Sequence, residues 1–444
     1  MNEDVNLARR LLEAWKGPAY AFGRGVFDAV GSAAARFGRT GALIVGDLGQ
    51  AWIEGPRKRI RESLAAAGVR TELINGARPN APREDLYRIS LQAARSGAEV
   101  IIALGGGSTI DAAKGAAVLL SYSPTEIIAA LNAPVSTADG IEPFFGTGLV
   151  SKLKDRTGRP PRPVIAVQTA ASSGAHLTKY ANITDPLTRQ KKLIVDEAIV
   201  PPAAVFDYDL TLSSPHALSV DGGLDGFSHV WEVFMSAGPG QFDKIKAVAE
   251  PAMRLILFGL RRIQERSSDI EGRTALGLGT DLGGYAIMMG GTSGPHLGSF
   301  SLVDIMSHGR ACALLLPYYT VLFANVIQAQ LRSAGTVFKD QGIMTENPES
   351  LGGRDLALAV AGAMIRFLNS LGFPTTLRQA GASENEVVRM LAAAKDSALK
   401  MKLQNMPMPM DADAGDVDRL MKPVLEAALS GDLASIPSPG AERQ

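Results

Sequence analysis

Apolar and polar positions follow two alternating periods along the first half of the chain. Short, β-branched apolar runs predict buried strands, and the stretches between them carry apolar residues at helical spacing. Strands that alternate with helices form βαβ units and a parallel sheet. The predicted strands cover 19–22, 42–45, 70–74, 100–104, 163–167 and 203–206, and the intervening helices cover 25–37, 56–67, 83–96 and 110–120.

The second half shows only the helical period. We therefore predict an α/β N-terminal domain with a parallel sheet at 1–212, and an all-helical C-terminal domain at 213–444. Both patterns fail at 123–162, which is rich in Gly, Pro, Ser and Thr; such a long loop is either functional or a plain surface excursion. Helices are predicted at 216–236, 243–266, 270–289, 309–331, 355–371, 384–398 and 415–430.

Composition narrows the possible classes of protein. The 444 residues carry 45 basic and 45 acidic side chains, so no net charge attracts nucleic acid or an anionic membrane. No apolar run is long enough to span a bilayer, and the N-terminal stretch lacks the apolar segment of a signal peptide. A single cysteine, Cys312, excludes a disulfide framework and a Cys-rich metal site. A soluble cytoplasmic protein is expected.

A glycine-rich turn follows the clearest predicted strand. Gly105, Gly106 and Gly107 connect that strand to a helix, and Ser108 and Thr109 add hydroxyl groups. Glycines allow a phosphate to approach the backbone, and a helix N-terminus supplies free N–H groups and partial positive charge. The alternative is a tight strand-to-helix connection in which Ser108 caps the helix.

Two further segments follow predicted parallel strands. Thr169, Ser172 and Ser173 lie in a small-residue cluster that could line the same ligand or be a plain loop. Asp47 follows the strand at 42–45, where a carboxylate would hydrogen-bond an adenosine ribose and repel a 2′-phosphate. A solvated turn aspartate is the alternative for Asp47.

An aspartate and three histidines suggest a metal site. Asp225 and His229 are spaced i, i+4, so both side chains lie on the same face of a predicted helix. His308 precedes another predicted helix, and His296 lies in a Gly/Pro-containing loop. One carboxylate with two or three imidazoles suits Zn²⁺ or Fe²⁺ and leaves a position for water or substrate. Any one of these histidines alone could equally be a structural residue.

These segments together resemble the iron-containing alcohol dehydrogenase family, whose fold is like that of dehydroquinate synthase. The resemblance covers nearly the whole chain. It is most specific at Gly105-Gly-Gly-Ser-Thr-Ile-Asp-Ala-Ala-Lys114 and at Gly223-Leu-Asp-Gly-Phe-Ser-His-Val-Trp-Glu232, and it continues through Lys191-Lys192 and through His308-Gly309.

The resemblance implies a Rossmann-like nucleotide-binding domain at 1–212 and a metal-binding domain at 213–444. It also implies an oxidoreductase that transfers hydride between NAD and a metal-bound alcohol or carbonyl. Asp225, His229 and His308 would form the catalytic metal site with iron or zinc, with His296 as an uncertain fourth ligand. A homo-oligomer, such as a dimer, acting on a small alcohol or aldehyde is also implied. Alternatives are a glycerol dehydrogenase-like or dehydroquinate synthase-like enzyme, or a non-catalytic nucleotide-binding relative. The implied cofactor contacts are Asp47, Gly105, Gly106, Gly107, Ser108, Asp111, Thr169, Ser172, Ser173 and Lys191.

Two departures from the family pattern bear on the site. The family pattern His-x-x-x-His-Pro-Leu-Gly is replaced by Gly291-Thr-Ser-Gly-Pro-His296-Leu-Gly, so one histidine is missing and the other is displaced. The family segment Gly-Thr-Gly-Ser-Glu becomes Ser172-Ser-Gly-Ala-His176, which places a histidine where an acid is expected beside the nicotinamide. Both departures bear on the class of substrate and on the metal content of the site, and neither changes the predicted fold.

Overall fold

The predicted strands form a parallel sheet in the computed structural model, which describes residues 1–123, 126 and 145–439. Within these residues the sheet has six strands in the order β1-β9-β6-β4-β2-β3. The strand at Val100–Gly105, one of the two at the centre of the sheet, is buried at every position, as expected when helices cover both faces of a parallel sheet. The strands are β1 Tyr20–Gly23, β2 Thr40–Val45, β3 Arg70–Asn75, β4 Val100–Gly105, β6 Val164–Gln168 and β9 Ala203–Asp207.

Helices connect these strands in the predicted alternation. The predicted helix at 83–96 is present with nearly those bounds, and the helix after β4 begins three residues earlier than predicted, inside the glycine turn. Residues 149–157, which lie in the stretch predicted as a loop, are helical; residues 124–125 and 127–144 of that stretch lie outside the described residues. The helices are α1 Asn2–Lys16, α2 Ala29–Ala35, α3 Ala51–Ala66, α4 Arg83–Arg95, α5 Gly107–Ser121 and α6 Leu149–Thr157.

A second, smaller sheet was not predicted from the sequence. It contains β5 (Gly146–Thr147), β7 (Tyr180–Asp185) and β8 (Gln190–Val195), with β7 and β8 antiparallel. Its strands carry Asn, Thr, Lys and Asp, so the apolar pattern is weak. The buried, charged side chain of Lys114 attaches α5 to the start of this hairpin. Lys114 Nζ donates to the carbonyl groups of Thr178 and Tyr180, both at 2.8 Å.

The elements described after residue 219 are helical. By contacts, residues 220–444 form one compact unit together with residues 1–12, and residues 13–219 form another. The predicted helix at 309–331 is two helices separated by a turn, and residues 294–299 form a short helix that was not predicted. No helix in the described part of the chain is both long and apolar enough to cross a membrane. The helices are α7 His216–Met235, α8 Phe242–Glu265, α9 Ile270–Met289, α10 Gly294–Ser299, α11 His308–Leu322, α12 Gln328–Asp340, α13 Gly353–Ser370, α14 Glu384–Ala394, α15 Lys400–Gln404 and α16 Lys422–Ser430.

Candidate functional site

Three histidines surround one oxygen of Asp225 in the helical unit. The Nε2 atoms of His229, His296 and His308 lie 3.8, 3.7 and 3.6 Å from Asp225 Oδ1. Asp225 and His229 lie one turn apart on α7, His296 lies on α10, and His308 is the first residue of α11. The structure therefore brings together all four residues that the sequence proposed as metal ligands.

The close approach of α11 to α7 depends on Gly309. A Cβ atom at this position would lie 2.0 Å from the carbonyl oxygen of Asp221 and 2.9 Å from Cβ of Asp225. No real side chain tolerates these distances, so only glycine lets the first turn of α11 reach α7. Ser307 and Arg310 reinforce the contact by hydrogen bonding to the Asp221 carboxylate at 2.5 and 3.1 Å. His308 is thereby placed beside Asp225.

The cluster has the chemistry and spacing of a metal site. Asp225 Oδ1 and His296 Nε2 are buried and have no hydrogen-bond partner within the described chain, which is costly unless something else satisfies them. Metal–ligand bonds of about 2.1 Å in a tetrahedral site place neighbouring ligand atoms about 3.4 Å apart, close to the observed separations. A divalent cation therefore fits among these atoms.

The charge states of Asp225 and His229 also suit a cation. Burial lowers the pKa of His229 to about 4, so its imidazole is neutral and keeps a lone pair at neutral pH. Burial alone would raise the pKa of Asp225, but His229, His308 and His296 outweigh it and hold that pKa well below its usual range. A carboxylate beside neutral imidazole is the ligand form of both groups.

Glu232 orients His296. Its Oε1 lies 2.5 Å from His296 Nδ1, and its Oε2 accepts the backbone N–H of Ser293 at 2.7 Å. A proton held on Nδ1 leaves the lone pair of Nε2 directed at Asp225, an arrangement typical of metal-binding histidines. We had not singled out Glu232 as a site residue from the sequence, although it lies seven residues after Asp225 and therefore on the same face of α7.

Ser299 orients His308 in the same way. Its hydroxyl donates to the carbonyl of His296 at 2.7 Å. The same oxygen can therefore accept a hydrogen bond from His308 Nδ1–H, which lies 3.0 Å away. The lone pair of His308 then lies on Nε2, the atom nearest Asp225. Two histidines from different helices thus present the same ring nitrogen to the same point.

The glycine turn lies in the other unit and combines tight packing with open space. A Cβ atom at Gly105 would lie 2.7 Å from Cβ of Thr109, and one at Gly107 would lie 2.6 Å from Oγ of Ser173. At Gly106 a Cβ atom would approach nothing closer than 3.9 Å, and the φ angle of −82° suits any residue. Neither packing nor backbone conformation requires glycine there. The space lies at the N-terminus of α5, where a phosphate group fits.

The predicted neighbours of this turn follow adjacent parallel strands. The backbone N–H of Thr169 donates to the carbonyl of Gly105 at 3.1 Å, which joins the segment after β6 to the turn after β4. Ser173 packs against Gly107. Ser172 lies in the same segment after β6. Asp47, after β2, has a left-handed φ of 53°, and partial desolvation raises the pKa of its carboxyl. Asp47, the glycine turn and the segment at 169–173 thus follow the carboxyl ends of β2, β4 and β6. Parallel sheets bind ligands at this edge.

Three other predicted cofactor residues have partners within the protein. Ser108 Oγ accepts the backbone N–H of Asn80 at 3.0 Å. Asp111 Oδ2 accepts the backbone N–H of Asn182 at 3.0 Å, so this carboxylate lies at the contact between α5 and the β7–β8 hairpin. Lys191 is buried on β8 and its charge acts on Asp111. The structure thus places Asp111 and Lys191 at this contact.

Comparison with known proteins agrees with both halves of this description. The profile of the iron-containing alcohol dehydrogenase family matches residues 18–208, and the profile of the C-terminal region of the Fe-containing alcohol dehydrogenases matches residues 219–423. The chain belongs to the iron-containing alcohol dehydrogenase family. The fold predicted from the sequence and the family resemblance are both confirmed.

Several members of the iron-containing alcohol dehydrogenase family match most of the chain. The NAD-dependent methanol dehydrogenase of Bacillus methanolicus is 25% identical over 83% of this chain and 90% of its own. The lactaldehyde reductase of Escherichia coli is 28% identical over 84% of this chain and 91% of its own. Among solved structures, an alcohol dehydrogenase from Oenococcus oeni superposes with a TM-score of 0.75 at 24% identity, covering 93% and 98% of the two chains.

His176, which stands where the iron-containing alcohol dehydrogenases have an acid, is buried. Its Nε2 lies 3.0 Å from the hydroxyl of Tyr20, and its ring packs on Tyr20 and edge-on against Phe206. These contacts account for a histidine at this position as a packed, hydrogen-bonded residue of the α/β unit.

Proposed function

We propose that this chain is a metal-dependent, NAD-linked alcohol dehydrogenase or aldehyde reductase. In this proposal Asp225, His229, His296 and His308 bind the metal. One observation carries it: three imidazole nitrogens lie 3.6 to 3.8 Å from a single buried carboxylate oxygen that has no hydrogen-bond partner among the described residues. His296, whose role the sequence left open, belongs to the set because its Nε2 is also buried without a partner there.

The protein side chains have distinct parts in this chemistry. When bound, a divalent metal supplies Lewis acidity at an alcohol or carbonyl oxygen. Asp225 contributes the negative charge that holds the cation, and His229, whose pKa is lowered by burial, contributes a neutral donor. Glu232 and Ser299 fix the orientation of His296 and His308. No nucleophilic side chain is required, because the hydride passes between substrate carbon and nicotinamide.

The glycine turn supports the cofactor part of the proposal. Open space at Gly106, the N-terminus of α5, and the hydroxyl-rich segment at 169–173 together suit a diphosphate. Asp47 favours NAD over NADP, since a carboxylate attracts a ribose hydroxyl and repels a 2′-phosphate. A relative that carries "NAD-dependent" in its name is consistent with this preference.

A metal-replacement assay tests the proposal. The purified chain is stripped with a chelator and reloaded with Fe²⁺ or Zn²⁺, and NADH oxidation is followed with short-chain and branched aldehydes. We expect turnover that depends on the added metal and is faster with NADH than with NADPH. Metal-independent turnover would remove the metal from the mechanism. Tight nucleotide binding without turnover of any aldehyde or polyol would favour the non-catalytic alternative.

Oligomeric state and location are further parts of the proposal. By its family resemblance the chain is expected to form a homo-oligomer, a dimer or larger, and to act in the cytoplasm on a small alcohol or aldehyde. Relatives named for methanol, propanediol and lactaldehyde make short alcohols the first substrates to assay. Light scattering on the purified protein measures the oligomeric state directly.

A further inference from the structure

Cys312, the only cysteine of the chain, lies against the histidine cluster. It follows His308 by one turn of α11 and is fully buried. Its Sγ atom lies 3.8 Å from His308 Nδ1 and 3.9 Å from His308 Nε2. Donor atoms of Asp225, His296, His308 and Cys312 all lie within 4.8 Å of one another.

A buried cysteine alone indicates nothing, because a thiol packs well in an apolar core. At this position two independent atoms point to a ligand. Asp225 Oδ1 and His296 Nε2 are buried, lack a hydrogen-bond partner within the described chain, and belong to the same compact set as the sulfur. Asp225 and His296 are 4% and 3% exposed, so water does not readily satisfy these atoms.

The spacing suits a sulfur ligand. A zinc–sulfur bond of about 2.3 Å and a zinc–nitrogen bond of about 2.1 Å place sulfur and nitrogen about 3.6 Å apart at a tetrahedral centre. The distance from Sγ to His308 Nε2, the nitrogen nearest Asp225, is 3.9 Å, only slightly longer.

We propose that Cys312 is a further, thiolate ligand of the metal held by Asp225, His229, His296 and His308, and that it biases the site toward zinc over iron. This inference rests on the proposed function, which places a divalent metal at this cluster. On binding, the S–H bond breaks, the proton passes to solvent, and a sulfur lone pair forms the metal–sulfur bond, with no change in oxidation state. Thiolate donors favour softer cations, whereas a site of oxygen and imidazole alone discriminates less.

Cobalt substitution tests the proposal on the full chain. Co²⁺ replaces the metal, and the absorption spectrum is recorded for the wild type, Cys312→Ser and Cys312→Ala. Visible ligand-field bands report a cation at the Asp/His cluster. A near-ultraviolet sulfur-to-cobalt charge-transfer band reports the thiolate, and with one cysteine in the chain it has a single possible thiolate source. We expect both features in the wild type and loss of only the near-ultraviolet band in both variants.

The outcomes separate this inference from the proposed function. Visible bands without the near-ultraviolet band in the wild type would overturn the role of Cys312 and leave the metal site intact. Absence of both features would overturn the metal site and this inference with it. X-ray absorption of the zinc-loaded wild type needs no variant: one sulfur at about 2.3 Å is expected, and a shell of only nitrogen and oxygen contradicts the proposal.

Metal competition measures the selectivity. The wild type and Cys312→Ser are equilibrated anaerobically with equal Zn²⁺ and Fe²⁺, and the bound metals are counted. We expect the ratio of bound zinc to bound iron to fall by about tenfold in the variant, because a hydroxyl is a harder donor than a thiolate. An unchanged ratio contradicts the bias toward zinc.

Discussion

The glycine turn after β4 and the histidine cluster on α7, α10 and α11 differ in how closely other atoms approach their glycines. At the turn, Gly106 faces an opening in which a Cβ atom would approach nothing closer than 3.9 Å. At the cluster, Gly309 lies so close to α7 that a Cβ atom would overlap a carbonyl oxygen. Glycine thus keeps room for a ligand in one region and lets two helices touch in the other.

The two regions also differ in which atoms would bind. At the turn the donors are backbone N–H groups at the start of a helix, which any sequence with glycines there would supply. At the cluster they are side chains from three helices. Asp225, His229 and His296 are buried, and Glu232 and Ser299 hydrogen-bond His296 and His308. Substitutions at Gly106 should therefore change binding with little effect on stability. Substitutions at the cluster should change both.

Replacing Asp225 should have the largest effect. Asp225→Ala removes the one oxygen shared by three histidines, so we expect loss of stoichiometric metal and a fall in kcat/KM on the order of 10³-fold. Metal content by mass spectrometry and steady-state kinetics measure the two effects. NADH binding by fluorescence titration should be unchanged. Full metal and activity in Asp225→Ala would remove the assignment of the cluster.

Gly309→Ala should be next, and it tests the packing. The added methyl group forces α11 away from α7, and we expect a loss of at least about 3 kcal/mol in free energy of unfolding together with weaker metal binding. Gly106→Ala is the matched control, since the same methyl group enters open space at an ordinary φ angle; its stability should change by about 0.5 kcal/mol or less. Equal stability of the two variants in denaturant titrations would contradict the comparison.

Gly106→Val should change cofactor binding alone. Its side chain fills the opening at the N-terminus of α5 and keeps a diphosphate from the backbone, so we expect the Kd for NADH to rise by about 10²-fold. The melting temperature and the metal content should stay near wild-type values. Gly55→Val, also at a glycine with no neighbour near its Cβ position but on α3, is the control for added bulk. A Kd for NADH unchanged in Gly106→Val excludes the turn from the site.

The contrast between the regions explains what could be predicted from the sequence. The turn is a local feature: a buried strand, three glycines and a helix follow one another directly, so position along the chain gives position in space. The pair Asp225 and His229 could also be predicted from the sequence, because helical spacing relates the two residues. The parallel sheet followed from the apolar runs, while the β7–β8 hairpin was missed because its strands carry polar residues.

The rest of the cluster depends on tertiary contacts that no local pattern encodes. His296 was uncertain because it was assigned to a loop, whereas it lies on the short helix α10 and is held by Glu232. No local pattern in the sequence marks Cys312, and only the approach of α11 to α7 places its sulfur among the donors. That approach depends on Gly309, whose role appears only once both helices are in place.

Replacing Asp47 should have the smallest effect, on cofactor choice rather than on binding or folding. Asp47→Gly removes a carboxylate that repels a 2′-phosphate, and at a partly hydrated position such a charge contributes about 1 kcal/mol. We therefore expect the ratio of kcat/KM for NADH to that for NADPH to fall by roughly five- to tenfold. Asp47 has a φ of 53°, which glycine adopts freely, so the variant should fold normally. Asp47→Asn is the closer control, because asparagine tolerates the same left-handed conformation and differs almost only in charge. The two variants should lose preference to the same extent if charge is the cause. A wild type that already prefers NADPH would show that Asp47 does not face the ribose.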